Sequence, residues 1–462
     1  MMMTTLTFLQ IFTKEKYMNI LIIGSGAREH AIAKAFHRSP KQPTVYCYGN
    51  SHHPGIRELS KYYLMGNMND VDAMTKFAKE CKAKFVIVGP EAPLEKGIAD
   101  ALWKENIFVI GPTQKLAQIE TSKSFARDLL KKYRISGSPL YQVFHDLSGA
   151  KEFLQRLGDG CYVIKANGLM GGKGVKVAGD HLHSLDEAYH FCEELYRLKH
   201  SFVIEEKCVG EEFSFMCFSD GKHLVPMPLV QDHKRAFIND KGPNTGGMGS
   251  YSDSNHRLPF LTDKDVNDAF KINQAVMNAL EKECGEKYIG ILYGSFMATK
   301  QGVRVIEFNA RFGDPEAMNV LAILKTDLVD ICEGMISEKL SSLKIVFEDA
   351  ATVCKYAVPK GYPDHPQKNS LIDVGEIKNP EQLYLAAIDE CDGKLYTTTS
   401  RAVAVVGIAD TIFLAEKIAE MEMQRIKGEL FHREDIGTEK LINQRISAMQ
   451  TLRAKVHEGN MD

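Results

Sequence analysis

No Cys-x-x-Cys pair occurs in this chain of 462 residues, although it carries ten cysteines. Its lack removes a zinc ribbon and a paired redox site from consideration. The cysteines are scattered, which fits a reducing cytosol and leads to the expectation of a cytoplasmic protein. No apolar run is long enough to span a bilayer. The net charge of −3 gives no reason to invoke nucleic acid or an acidic membrane. Internal repeats and low-complexity tracts are absent. The opening MMMTTLTFLQIFTKEKY has no basic run before its apolar part and no small-residue cleavage site after it, which argues against a signal peptide. Residues 1–17 are expected to be a disordered extension, with the fold starting at Met18.

Two absences are local. In IIGSGAREH, Glu29 stands where a dinucleotide fingerprint has its third glycine, and YGN ends the next strand where an acidic residue would hold a ribose. An NAD site is therefore not expected. In KANGLMGGKGV no Ser or Thr follows Lys173 and no helix opens, so this is not a Walker A loop.

What is present is an ordinary globular composition, 44% hydrophobic and 25% charged, in a length that suits about three domains. From Asn19 to Pro112 the apolar strands NILIIG, TVYCYG, FVIVGP and IFVIGP alternate with helical patterns. That order predicts a doubly wound α/β domain with a parallel sheet, over residues 18–118. KLAQIETSKSFARDLLKKY reads as one helix. A second domain, 119–345, follows, with a flap subdomain at about 137–206. In it CYVIKANGLMGGKGVKVA reads as strand, glycine-rich loop, strand, and SLDEAYHFCEELYRLK as a helix capped by Ser184. FVIEE, EEFSFMCF and LVPMPLVQDHKR read as strands, and ILYGSFMATKQGVRVIEFN as a hairpin turning at KQG. Short strands and a closing helix, TIFLAEKIAEMEMQRIK, make residues 346–452 a small α+β domain.

Several stretches carry possible chemistry. In VIEFNARFGDPE, Glu307, Asn309 and Arg311 occupy alternate positions, so in a strand they share one face, with Ile306, Phe308 and Ala310 on the other. Glu307 and Asn309 offer hard oxygen ligands for Mg²⁺ or Mn²⁺, and Arg311 a bidentate anion site. An edge strand with one wet face fits the same pattern. Gly24 and Gly26 open a helix and could present N–H groups to a phosphate, or could make only a tight turn. The glycine loop after Lys165 reads better as a flap over phosphates than as a free hairpin. Glu205, the backbone at Cys208, and Glu212 flank a turn and could face a nucleoside, though taken by itself the segment reads better as an ordinary acidic strand-turn-strand. QDHKRAFINDKGPNTGGMGSYS is long for a plain loop and suits a substrate enclosure.

The series GSGAREH, IVGPEAPL, GPT, SKSFARDLL, KANGLMGGKGV, IEEKCVGEE, QDHKR, GPNTGGMGSYS and IEFNARFGDPE resembles the phosphoribosylamine–glycine ligase (glycinamide ribonucleotide synthetase) family of the ATP-grasp superfamily. The resemblance runs from Met18 to the helix at TIFLAEKIAEMEMQRIK. It implies an enzyme of de novo purine biosynthesis that uses ATP to join glycine to 5-phosphoribosylamine through glycyl phosphate. It further implies Lys123, Lys165, Gly171, Gly172, Lys173, Gly174, Glu205, Cys208 and Glu212 at the nucleotide. Glu307 and Asn309 would hold Mg²⁺ or Mn²⁺, and Arg311, Lys165 and Asp232 would act in catalysis. Gly24, Gly26, Arg28, Glu91, Asn244, Gly246, Gly247 and Asp314 would face the substrates. A monomer or weak homodimer is expected, with passing contact to the enzyme that makes phosphoribosylamine.

The chain departs from the family pattern in four places. Asn167 stands where Asp is expected, Gly-Gly is missing before Arg401, VPKGYPDHPQK differs from the usual GGYPG form, and LYGSFM has no carboxylate near Gly294. Rival readings are another ATP-grasp ligase of carboxylase type, a non-catalytic ATP-binding regulator, and a dehydrogenase. The intact Glu307, Asn309 and Arg311 weigh against the regulator, and the missing third glycine against the dehydrogenase.

Overall fold

The computed structural model describes residues 18–170 and 174–454. Five parallel strands open the chain: β1 Asn19–Ile23, β2 Thr44–Gly49, β3 Tyr62–Met65, β4 Phe85–Val88 and β5 Phe108–Ile110, in the order β3-β2-β1-β4-β5. Ile20 to Ile23 and Phe85 to Ile87 are buried, as a sheet covered by helices on both faces requires. One strand, β3, was not legible beforehand, because KYYLM lies at the sheet edge with Tyr62 and Met65 exposed. The first helix, α1, spans Ala27–His37.

The single helix expected over residues 115–133 is two: α2 Gln114–Thr121 and α3 Lys123–Lys132. Ser122 breaks the run. Its backbone is extended, and its hydroxyl caps α3 by accepting from the Phe125 N–H. The break puts Lys123 at the first turn of α3, beside the flap.

The flap subdomain holds β6 Tyr141–Phe144, β7 Tyr162–Ala166, β8 Val175–Val177 and β9 Phe202–Glu206, in the order β6-β9-β7-β8. Gly171, Gly172 and Lys173 lie outside the described residues, as do residues 1–17. Ser184 caps the helix Leu185–Arg197 as expected. A second sheet, β11-β10-β16-β17, faces the flap. It is built from β10 Gly210–Asp220, β11 Leu224–Pro226, β16 Ile289–Thr299 and β17 Gly302–Asn309.

The long strand expected at LVPMPLVQDHKR is three pieces: β11, then β12 Gln231–Asp232 and β13 Arg235–Phe237. Pro226 and Pro228 remove the donors a continuous ladder would need. Among the described residues β13 pairs only with β14 Lys241–Asn244, as a separate hairpin. β12 and β15, Gly249–Ser252, leave the second sheet altogether. They add to β18 Ala351–Pro359 and the strands Val403–Ala409 and Leu383–Leu385, so the loop-bearing segment rides on the C-terminal sheet. The helix at Ile412–Met423 does not close the fold. A further helix, α4 Glu439–Ala454, packs back onto β10 and β16. Among the described residues no helix is long and apolar enough to cross a membrane.

Candidate active site

A cleft of about 570 Å³ lies between the flap and the second sheet, closed on one side by β12–β14. Its floor is the end of β17. Phe308 and Ala310 are buried, and Glu307, Asn309 and Arg311 all reach the cleft. Glu307 and Asn309 share a face of β17 as expected, but Ile306 and Phe308 also border the cleft, and Arg311 lies just beyond the end of the strand. A bulge at Ser295/Phe296 shifts the register beside Ile306. The freed Ile306 carbonyl accepts from Lys165 Nζ (2.8 Å) and from Arg127 (2.9 Å).

Among the described residues three lysines surround Glu307. Lys123 donates to the Gly168 carbonyl at 2.9 Å, across the break before α3. Lys165 lies 2.8 Å from Glu205 Oε2, and Lys234 pairs with Glu212 and lies 3.9 Å from Glu307. Burial alone would raise the Glu307 carboxyl, but Lys234, Lys165 and Lys123 hold it below the usual carboxylate range. Burial lowers Lys123, with Glu307 acting the other way. Among the described residues the Glu307 carboxylate accepts no hydrogen bond. It is a charged, open carboxylate, with Asn309 Oδ1 two residues along and held 3.2 Å from the Arg311 guanidinium. In the facing strand Ser295 pairs with Glu307 and gives its hydroxyl to Glu212 at 2.9 Å, so β16 supplies no carboxylate there.

Glu205 is turned away from an open role. Arg127 binds it with two hydrogen bonds of 2.6 and 2.8 Å, and Lys165 closes the triad. Against the burial penalty, Arg127 and Lys165 hold its carboxyl at about 2. Its carboxylate orients Lys165 rather than standing free toward a base. Cys208 sits in the β9–β10 turn and lines the cleft with Gly174. Asn167, the departure at the flap base, works as a clasp. Its oxygen accepts from the Ser124 N–H (3.2 Å), and its amide donates to the hydroxyls of Ser124 (3.0 Å) and Ser201 (3.2 Å).

On the other side of Glu307, Arg311 lies 2.9 Å from Glu120 and 3.5 Å from Glu91, at the start of the helix Glu91–Glu95. Burial pushes Glu120 up to about 7, with the charge of Glu91 adding to it and Arg311 opposing. Asp232 has a buried oxygen with no hydrogen-bond partner among the described residues, and burial together with Glu316 raises its carboxyl well above normal. Gly247 has φ of +111°, and a Cβ there would sit 2.5 Å from Asp232 Oδ1, so only glycine fits. Asn244, Gly246 and Asp314 line the same end.

Arg401 completes it from the C-terminal domain. It donates to the carbonyls of Gly246 (2.7 Å), Gly247 (3.0 Å) and Asp314 (3.2 Å), and stacks 4.5 Å from the Tyr356 ring. Tyr356 in turn donates to Asp314 at 2.7 Å. The Gly-Gly missing before Arg401 has not displaced it from the cleft's edge.

The Gly24–Gly26 turn is less open than its sequence suggests. The Gly26 N–H is taken by the Glu29 carboxylate at 2.5 Å. Arg28 is buried, its Nε 2.6 Å from Glu29 and a terminal nitrogen 3.2 Å from the Phe312 carbonyl. Arg28 thus joins α1 to the RFGDPE turn instead of reaching into solvent.

Sequence reading missed Arg127, Glu120, Glu316 and Arg401. Arg127 had a signal, since it stands four residues after Lys123 on one face of α3. Glu316 had one too, since it closes VIEFNARFGDPE two residues after Asp314, whereas Glu120 and Arg401 come from elements that only tertiary packing brings near.

Family models named for phosphoribosylglycinamide synthetase match three segments: the N domain at 18–120, the ATP-grasp (A) domain at 121–317 and the C domain at 352–439. A protein from Methanocella arvoryzae named phosphoribosylamine–glycine ligase is 48% identical over 438 residues, 94% of this chain and 100% of that one. One of the same name from Methanosarcina barkeri is 49% identical over 436 residues, with the same coverage.

The chain belongs to the phosphoribosylamine–glycine ligase family.

It is an ATP-dependent ligase built on an ATP-grasp domain. The crystal structure of phosphoribosylamine–glycine ligase from Thermotoga maritima superposes with a TM-score of 0.76 at 26% identity, covering 90% of this chain and 100% of that one. A biotin carboxylase domain from Hydrogenobacter thermophilus, solved with MgADP, shares the fold alone, with a TM-score of 0.66 at 14% identity over 94% of this chain and 93% of that one.

Proposed function

We propose that this ligase joins glycine to 5-phosphoribosylamine, with ATP converted to ADP and phosphate. The observation that carries the reading is the open, ionised Glu307 carboxylate set among Lys123, Lys165 and Lys234, with Arg311 and Asp232 close by. A bare carboxylate with three cations around it suits a metal-bridged polyphosphate and would be poorly placed in an apolar binding site.

Glu307 and Asn309 are the residues that would hold the divalent ion, Mg²⁺ or Mn²⁺. That ion, when bound, draws charge from the phosphate oxygens. Lys123 and Lys165 neutralise the phosphates, and Gly171, Gly172, Lys173 and Gly174 are the further residues that the family resemblance assigns to the nucleotide. The Cys208 turn and Glu212 face the nucleoside, and Glu205 acts by fixing Lys165.

Glycine takes the terminal phosphoryl group on its carboxylate to give glycyl phosphate. The amine of phosphoribosylamine then attacks the carbonyl carbon. A C–N bond forms, the C–O bond to phosphate breaks, and an amine proton is released. Arg311, held by Glu120 and Glu91, faces the negative charge that grows on the carbonyl oxygen. Asn244 to Gly247, Asp232 and Asp314 enclose glycine, and the 18–118 domain carries phosphoribosylamine near Glu91 and Gly24 to Arg28. The catalyst works in the cytoplasm as a monomer or weak homodimer, in passing contact with the enzyme that supplies the amine.

The test is ADP release with single substrates omitted. Release that requires both glycine and phosphoribosylamine supports the reading. Release driven by bicarbonate with a different amine acceptor overturns it in favour of a carboxylase-type ligase.

A further inference from the structure

Among the described residues the hairpin β13–β14 pairs with no other sheet, and a lone two-stranded hairpin is marginally stable in water. Its tip holds two residues in left-handed backbone, Asn239 at φ 60° and Asp240 at φ 53°, which adds to the strain. Yet its base carries Lys234 and Asn244 to Gly246 into the cleft. Something outside the hairpin must hold it still.

The holding groups come from the far C-terminal end. The Asp240 carboxylate accepts from Arg433 at 2.8 Å and from Arg445. Asp435 accepts the Asn239 N–H at 3.0 Å, Arg433 donates to the Arg235 carbonyl at 3.2 Å, and the Phe237 and Phe431 rings lie 6.0 Å apart. Arg433 is buried, and Asp435 fixes it with two hydrogen bonds of 2.9 and 2.8 Å. Arg445 has a second partner, Glu211 of β10, at 3.3 Å, and it lines the cleft itself. It therefore ties the hairpin tip to the sheet that bears Glu212. At the other end of the hairpin Arg235 pairs with Asp180 of the flap subdomain at 2.6 Å. Arg445 sits on α4, past residue 439 where the C-domain match ends.

We infer that Arg445 is a positioning residue for the ligation: from the terminal helix it clamps Asp240 and Glu211 together, and so fixes the hairpin that presents Lys234 and Asn244–Gly246 to the substrates. The fork of a guanidinium suits this double duty, since it can serve two carboxylates at once, which an ammonium does less well. This role rests on the ligase reading above, but the hairpin clamp can be measured without it.

The experiment compares the full-length wild type with Arg445→Met, Arg445→Lys and Asp240→Asn. The first readout is hydrogen exchange of the backbone amides of residues 233–247. The second is steady-state kinetics with each substrate varied in turn. For Arg445→Met the expected result is faster exchange confined to this segment, a glycine KM raised about tenfold or more, and a smaller change in the KM for ATP. Arg445→Lys should restore part of both effects, as a purely structural deletion would not. Unchanged exchange, or faster exchange with unaltered kinetics, overturns the positioning role. If Arg445→Met does not fold, Asp240→Asn, which also takes a partner from Arg433, is read beside Glu211→Gln, which touches only the sheet-side partner of Arg445: faster exchange and a raised glycine KM in both support the clamp, and unchanged values in Glu211→Gln overturn it. Should the wild type fail to ligate glycine at all, the proposed function falls, while the exchange data still decide whether Arg445 holds the hairpin.

Discussion

Arg28 on the first helix donates to the carbonyl oxygen of Phe312, 284 residues away, at 3.2 Å. Its Nε is 2.6 Å from Glu29, which also receives the Gly26 N–H, so the entry turn of the first domain and the RFGDPE turn form one unit. Arg28→Ala would leave the Phe312 carbonyl and the Glu29 carboxylate short of a buried donor. Losing such a charged hydrogen bond costs on the order of 2 kcal/mol. The expected outcome is a raised KM for phosphoribosylamine together with a lower kcat, since the turn carrying Arg311 loosens. The KM for ATP should change little. An ATP-specific defect would contradict the assignment of the first domain.

Glu307→Gln keeps the shape of the side chain and removes the ionised carboxylate at the end of β17 that is proposed to hold the divalent ion. The fold should survive, because this carboxylate accepts no hydrogen bond among the described residues. Activity should fall by about 100-fold or more, as for loss of a group that organises transition-state charge. ADP release measured across a Mg²⁺ titration checks this. Near-normal turnover at low Mg²⁺ would remove Glu307 from the metal site.

Glu205 gives a pH prediction. Its carboxyl is held at about 2 in the fold, below the 4.5 of a free glutamate. A depressed folded-state value means that the unfolded chain binds the proton first on acidification. The stabilisation is therefore complete above about pH 4.5 and is lost as pH falls toward 2. Its size is on the order of 3 kcal/mol. Urea unfolding of the wild type should show a loss of stability between pH 5 and pH 3 that is smaller in Glu205→Gln. Parallel curves for the two proteins would show that the Arg127–Glu205–Lys165 triad contributes nothing to acid sensitivity.

Arg401→Lys tests the contribution of the C-terminal domain. Lysine keeps the charge but cannot reach three carbonyls and stack on Tyr356 at once. The expected result is a KM for glycine or phosphoribosylamine raised roughly tenfold, with ATP affinity kept. Isothermal titration with ATP, alongside kinetics in both substrates, separates these. Unchanged kinetics would make Arg401 a spectator.

The sequence by itself determined the local units. Continuous apolar strands between helical patterns specify a parallel sheet, because such strands can only be buried on both faces. Ser184 announced its helix, and KQG its hairpin, through chemistry contained within a few residues. The polar alternation of Glu307 and Asn309 is likewise a short-range consequence of strand geometry, and it placed both at the cleft. What tertiary structure decided is where distant segments meet. Ser122 splits a helical pattern that its neighbours support, because its cap and the Asn167 clasp outweigh weak helix propensity. Glu205 looked free for a ligand, but Arg127 and Lys165, 78 and 40 residues before it in the chain, take its carboxylate. The loop from Asp232 to Ser252 follows the ATP-grasp strands in sequence yet pairs with β18, about a hundred residues later. Pairings over such separations depend on register and packing across whole sheets, and no local pattern records them. For that reason Arg401, Arg433 and Arg445 reach the cleft's edge and its hairpin from segments that, read alone, carry no sign of the site.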